Sequence, residues 1–353
     1  MHPAAWRIRG LSAVVVAGSA WAALAGPVER SIIDAEARWV VHLDLEAAMR
    51  SEPGKVLLEL ARDGRVPARD RFVREMGFDP FAEGRGLTVY GRSFDEDGGV
   101  AILTASAEAD RARASMHAAG LGEHATQAVG SVEVHSWSHD DERLYAAVVP
   151  GGRPDERRVL FTGSMDAMRR ALRVITTDLP ALDAQFPIPE GPGTILAVAA
   201  DGFGSESDPA PAPGSENATA GAASPSGGPS ALVLRGVRTM QARLSEETGE
   251  AGREIRGELL FRAVSPERAV QMRRMLDGTI AALEMTGEDS PDMAALAAAA
   301  ASVQVASSGT SVTVRASHDA SQAAALVRLM MLMQGPREPA REAGKEPGNA
   351  PTP

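Results

Sequence analysis

A unit that recurs four times constrains the fold more than any other feature of the sequence. Each copy has an extended apolar run, then a serine, then an acid, then a stretch with helical periodicity; the runs cover residues 101–106, 159–164, 259–265 and 312–317. A serine at the N-cap accepts a hydrogen bond from a backbone N–H that the helix leaves unpaired, and an acid in the first turn meets the positive end of the helix dipole. We therefore predict that four serines begin helices and do no chemistry: Ser106, Ser164, Ser265 and Ser317.

The units fall into two groups. Asp44 and Asp201 each close an earlier strand-like run, and two serine units follow each of them at similar intervals. The pattern predicts two similar halves, at residues 27–185 and 190–334, which an internal duplication would explain.

Strand pairs precede the capped helices. Alternating apolar runs separated by turn residues occur at residues 86–91 with 100–105, 131–137 with 144–149, 239–244 with 255–261, and 303–305 with 311–314. Such pairs are typical of antiparallel hairpins. The sequence therefore predicts an α+β fold in which each half is an antiparallel sheet with helices on one face, built from strand-strand-helix units.

Further helices and two unfolded stretches complete the predicted organisation. Helical patterns cover residues 54–61 and 69–76, with Gly77 as the stop, and Asp79-Pro80 predicts one more short turn. Another helix is predicted to begin at residues 289–291 and to run through the alanines to Ala301. Residues 204–230 and 335–353 are rich in Pro, Gly, Ser and Ala, so we expect a disordered insertion in the second half and a disordered tail.

The first 25 residues have the pattern of a signal peptide. Arg7 and Arg9 precede an apolar run at residues 11–24, and Ala23-Leu24-Ala25 fits the small-x-small rule, which predicts cleavage before Gly26. The alternative is an uncleaved N-terminal anchor. We expect a periplasmic or secreted bacterial protein with no membrane span after cleavage.

Composition excludes several classes of function. The net charge of −11 disfavours a nucleic-acid partner, whose phosphates need a basic surface. The absence of cysteine excludes disulfides and thiolate metal sites. The sequence has neither a G-x-S-x-G nucleophile elbow nor a phosphate-binding loop, so we expect no cofactor and assign no catalytic residue.

Two polar clusters could bind a metal. His42, Asp44 and Glu46 alternate along a strand and would share one face, and imidazole with carboxylates suits zinc or another divalent cation. The alternative is a polar sheet face with Asp44 or its neighbour capping the next helix. The second cluster is His135 and His139 with the acids at 140 and 141, for which a solvated hairpin tip is favoured over a metal site.

Four segments together resemble a group of exported bacterial proteins of planctomycete type, which have repeated strand-strand-helix units and no known activity. These segments are residues 39–44, the Gly77-Phe78-Asp79-Pro80 turn, residues 86–91 and the junction at 161–164, and the similarity covers residues 37–175. The resemblance implies an exported α+β protein and transfers no catalytic residue.

The sequence thus favours an exported, non-enzymatic binding or scaffold protein of the cell envelope, whose partner is an envelope protein or a small ligand. The alternative is a metal-dependent hydrolase that uses His42, Asp44 and Glu46. A third interpretation is a subunit that pairs with itself or with a partner through a sheet edge.

Overall fold

The computed structural model describes residues 28–94, 99–118, 123–139, 142–202, 236–249, 252–286 and 297–333. The predicted signal peptide, the predicted tail and the predicted insertion lie outside these residues, as do residues 289–296 of the predicted alanine-rich helix. Residues 297–301 of that helix are helical.

One antiparallel sheet contains all the named strands of the described chain. Its spatial order is β11-β12-β10-β9-β8-β1-β2-β3-β7-β6-β5-β4. The strands are β1 (Trp39–Asp44), β2 (Gly84–Gly91), β3 (Gly99–Ser106), β4 (Glu123–Val129), β5 (Val132–His139), β6 (Glu142–Pro150), β7 (Glu156–Thr162), β8 (Thr194–Asp201), β9 (Val237–Gly249), β10 (Gly252–Ala263), β11 (Gln304–Ser308) and β12 (Ser311–Asp319).

Eight helices accompany the sheet in the described residues, besides short 3-10 turns and the segment at 297–301. They are α1 (Leu45–Arg50), α2 (Glu52–Arg62), α3 (Pro67–Met76), α4 (Pro80–Glu83), α5 (Arg111–Ala118), α6 (Met165–Ile175), α7 (Pro266–Thr286) and α8 (Ala320–Met333). The α+β class, the four hairpins and the helices α2 to α4 are confirmed. Gly77 ends α3 with a φ of 76°, a left-handed conformation that glycine adopts without strain.

Near the middle of the sheet lies the β1–β8 seam, which we define as the hydrogen-bonded antiparallel pair of β1 and β8. Trp39 lies opposite Ala200, and Leu43 lies opposite Leu196. Because β2 pairs with the other side of β1 and β9 with the other side of β8, the sheet runs through the seam without a break.

Helices cover both faces of the sheet around β3 and β7, so the prediction of helices on one face is wrong there. On the first face, α1 to α5 pack over a core that includes Leu103 and Val159. On the second face, α6 packs over the neighbouring residues Ile102 and Leu160. Consecutive apolar residues on these strands are buried on both sides, so a helical layer is needed on each.

The long helix α7 lies on the first face. Its Ala269 and Met272 pack with Phe261 and Val312 in a separate core, against which Met240 of β9 also packs. Leu244 points the same way from β9 and packs against the first core. α8 lies on this face too, because its Arg328 pairs with Glu59 of α2 at 2.8 Å.

Three of the four predicted capping serines lie at helix beginnings. The Ser106 hydroxyl accepts a hydrogen bond from the Glu108 N–H (3.3 Å) at the start of a 3-10 turn. Ser164 accepts from the Ala167 N–H (3.4 Å) at the start of α6, and Ser265 accepts from the Arg268 N–H (3.3 Å) at the start of α7.

The prediction for Ser317 is wrong. β12 pairs with β10 as far as Asp319, so Ser317 lies inside the strand, opposite Arg256. Its hydroxyl donates to the Glu254 carboxylate at 3.1 Å. Asp319 accepts from the N–H groups of Ser321 and Gln322 and caps α8 instead.

Candidate functional site

A polar cavity opens where β1 ends beside the start of β8. Its volume is about 340 Å³. Strand β1 contributes His42 and Asp44, and helix α1 contributes Arg50. The segment before β8 contributes Glu190, and Thr194 is the first residue of β8. We call this space the seam cavity.

His42 is fixed by the sheet. Its side chain is buried, and its Nδ1 lies 2.8 Å from the Thr88 Oγ1, on the residue directly opposite it in β2. On the other side its register partner is Ala197 of β8, whose small side chain leaves room at the seam. The imidazole therefore forms a wall of the cavity with a set orientation.

Asp44 ends the strand and begins the helix. Its carboxylate accepts a hydrogen bond from the Ala47 N–H and so caps α1. Burial raises the pKa of this carboxyl from 3.8 to about 6, while the Ala47 hydrogen bond and the positive charge of Arg50 act in the opposite direction. Asp44 therefore titrates close to neutral pH.

The structure does not bring His42, Asp44 and Glu46 together on one strand face as predicted. β1 ends at Asp44, and Glu46 belongs to the first turn of α1. Asp44 keeps an extended backbone and caps the helix that begins at Leu45, so the strand alternation ends before Glu46. Among the described residues, no group of three His, Asp or Glu side chains is placed to hold a metal ion.

The wall opposite β1 is held rigidly by Arg243 of β9. The Arg243 Nε donates to the Thr194 Oγ1 (2.9 Å) and its Nη2 donates to the Pro192 carbonyl (2.7 Å). The Gly193 carbonyl accepts from the Glu246 N–H (3.0 Å), and Gly193 has a φ of 66°. A Cβ at that position would lie 2.1 Å from the Glu246 carbonyl oxygen, so only glycine fits this wall.

Charges of both signs line the seam cavity. Glu190 is paired with Arg30 at 3.1 Å, so its charge is largely balanced. Arg50 has no ion pair within the described part of the chain, although its charge acts on Asp44. The cavity therefore presents a carboxylate and a guanidinium that no other side chain within the described ranges neutralises fully.

A second polar cluster lies near the β4 edge, and it differs from the predicted one. His135 is 1% exposed, so the expected solvated hairpin tip is wrong for this residue. Its ring stacks with that of Trp137, and the His124 Nε2 lies 3.2 Å from the His135 Nδ1. His139 is the last residue of β5, and the two acids after it lie outside the described residues.

His124 was not anticipated, because β4 itself was not. Most residues of Glu123–Val129 are exposed at the sheet edge, so the strand lacks the apolar alternation that reveals a half-buried strand.

Comparison of the chain with protein-family models, with curated proteins and with solved structures gives no match. Of the helices in the described residues, none is long and apolar enough to cross a membrane. The fold and the seam cavity thus define an α+β protein with a polar pocket at one end of the β1–β8 seam.

Proposed function

We propose that the protein is an exported, non-enzymatic binding or scaffold protein of the cell envelope, and that it holds a small ligand in the seam cavity. The observation that carries this proposal is the cavity itself. Its volume of about 340 Å³ falls within the range of small-molecule pockets, ~300–1,000 Å³.

The walls of the seam cavity favour binding because they are held in place without a ligand. The His42–Thr88 contact and the Arg243 hydrogen bonds fix two sides of it. A site whose groups are already ordered loses less entropy when a ligand binds.

Export is the second part of the proposal, and its support is the N-terminal sequence. Cleavage after residue 25 would remove two arginines and no acid, which leaves the mature chain more acidic than the precursor. In this proposal the protein belongs to the periplasm or the medium of a bacterium, in line with the planctomycete-type resemblance.

A duplicated architecture is the third part. Outward from the seam, the sheet continues through β2, β3, β7 and β6 on one side and through β9, β10, β12 and β11 on the other. We propose that these strands correspond pairwise in two similar halves, at residues 27–185 and 190–334. The β4–β5 hairpin would then be an addition to the first half.

The sheet edges support a scaffold role beside ligand binding. β4 and β11 each pair with one neighbour within the described chain, and both lie at the ends of the sheet order. A strand from an envelope protein or from a second copy could extend either edge.

The alternative, a metal-dependent hydrolase using His42, Asp44 and Glu46, is less favoured. A site made of His42, Asp44 and Glu46 would have to recruit Glu46 from the first turn of α1, away from the strand face that His42 and Asp44 share.

The test is to express the full chain in a bacterium, fractionate the cells, and examine the purified protein by N-terminal sequencing and native mass spectrometry. The proposal expects a chain that begins at Gly26 in the periplasm or medium and carries a small molecule that denaturation releases. Retention of Met1 in a cytoplasmic protein would contradict export. Multiple turnover in a hydrolase panel, lost in His42→Ala together with a stoichiometric metal, would contradict the binding role.

A further inference from the structure

We infer that the seam cavity takes a small zwitterion of about dipeptide size, with its ammonium group against Asp44 and its carboxylate against Arg50. This inference rests on the proposed binding function and names the chemical class of the ligand.

The seam cavity holds two side chains of opposite charge. Asp44 and Arg50 both line the cavity, and Arg50 has no ion pair among the residues that the structure describes. A guanidinium presents a planar fork of donors that matches a carboxylate, and such charge-assisted pairs are stronger than neutral hydrogen bonds. A ligand with one charge of each sign satisfies both groups at once.

Asp44 and Arg50 are separated by the length of α1. They stand at the two ends of the six-residue helix α1, so their Cα atoms lie ~9 Å apart along its axis, at 1.5 Å per residue. The two side chains form no ion pair with each other, so a ligand that pairs with both must have its own two charges set apart. The amino and carboxylate groups of a single amino acid are separated by only one carbon.

The facing wall of the seam cavity contains two glycines. Gly191 and Gly193 expose main chain to the cavity, and any side chain at these positions would collide with Arg243 or with the Glu246 carbonyl. The two glycines therefore let this segment lie close against β9, so the wall that faces Asp44 and Arg50 includes main chain that could hydrogen-bond the middle of a ligand.

The other end of the seam is built differently. There the Arg38 guanidinium donates to the Gly202 carbonyl at 2.6 Å and lies 5.5 Å from the centre of the Phe94 ring. There a side chain of the protein itself makes the polar contact across the seam. An open, charged space at the seam is therefore not an automatic result of pairing β1 with β8.

The experiment is isothermal titration calorimetry on the full mature protein with three matched probes: Ala-Ala, N-acetyl-Ala-Ala and Ala-Ala amide. The acetyl group removes the ammonium charge, and the amide removes the carboxylate. We expect Ala-Ala to bind at least about tenfold more tightly than either capped peptide, the loss expected for one charge-assisted pair.

Two variants assign each charge to its partner. Arg50→Gln should weaken Ala-Ala binding about tenfold and leave Ala-Ala amide unchanged, because the amide has no carboxylate to lose. Asp44→Asn should weaken Ala-Ala and leave N-acetyl-Ala-Ala unchanged. Asparagine caps helices as well as aspartate does, so this variant keeps α1, and circular dichroism checks the fold. Arg62→Gln, at the exposed end of α2, is the matched control and should change nothing.

Equal affinities for the three peptides, or affinities that neither variant alters, would overturn the inference. If no peptide binds while native mass spectrometry detects another released molecule, the zwitterion is wrong and the binding function stands. If neither experiment finds a ligand, both proposals fail.

Discussion

Asp34, in the segment before β1, forms an ion pair with Arg170 of α6 beneath the second face of the sheet. The Arg170 Nη2 lies 3.4 Å from the Asp34 Oδ1, and its Nε contacts the other carboxylate oxygen. Asp34 is 3% exposed, and its carboxylate also accepts a hydrogen bond from the Glu36 N–H at 2.9 Å. The pair ties the entry of the chain to the helix that covers the second face.

Arg170→Met is expected to lower the free energy of unfolding by about 2–3 kcal/mol, because it leaves a buried carboxylate unpaired. Arg169→Met on the same helix breaks only an exposed pair with Asp166 and should cost less than about 0.5 kcal/mol. Urea denaturation of both variants makes the comparison. Similar losses of unfolding free energy in the two variants would show that the buried Asp34–Arg170 pair contributes no more than an exposed pair.

Asp44 should give the protein a measurable pH dependence of stability. The pKa of Asp44 is about 6 in the folded protein and 3.8 without the fold, so between these values the folded state binds more protons than the unfolded state. This group's contribution to the free energy of unfolding therefore falls as pH rises from about 4 to about 6 and is constant above that.

The measurement is urea denaturation of the wild type and Asp44→Asn across this pH window. The other charged groups around Asp44, namely His42, Glu46, Arg50 and Glu190, remain in both proteins, so the difference between them isolates Asp44. The wild type should lose stability relative to the variant as pH rises. If the wild type instead became more stable relative to Asp44→Asn as pH rises, the raised pKa of Asp44 would be refuted.

Gly193→Ala should both destabilise the protein and deform the seam cavity. The new methyl group would meet the Glu246 carbonyl at 2.1 Å in a backbone conformation that favours glycine, so we expect a loss of about 2–3 kcal/mol. Gly130→Ala is the control: its φ of 61° is similar, but nothing lies within 4 Å of the added atom, and the expected loss is about 1 kcal/mol. Thermal unfolding distinguishes the two variants. Equal losses of stability would show that the contact with the Glu246 carbonyl does not contribute.

The corrected helix cap is testable with serine-to-alanine changes. Ser164→Ala should cost about 1 kcal/mol, because it removes the N-cap acceptor of α6. Ser317→Ala should stay within about 0.5 kcal/mol, because that hydroxyl lies in a strand and caps nothing. Asp319→Ala should lower the melting temperature through the loss of the α8 cap. A Ser317→Ala loss as large as that of Ser164→Ala would contradict the placement of α8.

Local sequence rules predicted the hairpins and several helix ends because those depend on neighbouring residues. Ser164 and Gly77 act within a few residues of the helices they begin or end, and the predictions for them depend on nothing farther away. Ser317 had the same local pattern, but the register of β12 against β10 extended the strand past it. A pattern of one segment does not reveal how far its partner strand reaches.

The sequence predicted only some residues of the candidate site. His42 and Asp44 were selected from their alternation on a strand, and both line the seam cavity. Glu190 and Thr194 were missed because they approach β1 only through the pairing of β8 with β1. Arg50 was missed because nothing in its local sequence indicates that the end of α1 faces a cavity. The placement of α6 on the second face was also missed, although adjacent apolar residues such as Ile102 and Leu103 were the available signal.

The unbroken pairing of β1 with β8 restricts how the two sides of the sheet can move relative to each other. Main-chain hydrogen bonds join β1 to β8 from Trp39 to Leu43, so no flexible hinge separates the two sides of the sheet. Opening the sheet between β1 and β8 like a hinge would break these bonds, so we expect ligands of the seam cavity to bind without a closure of two domains.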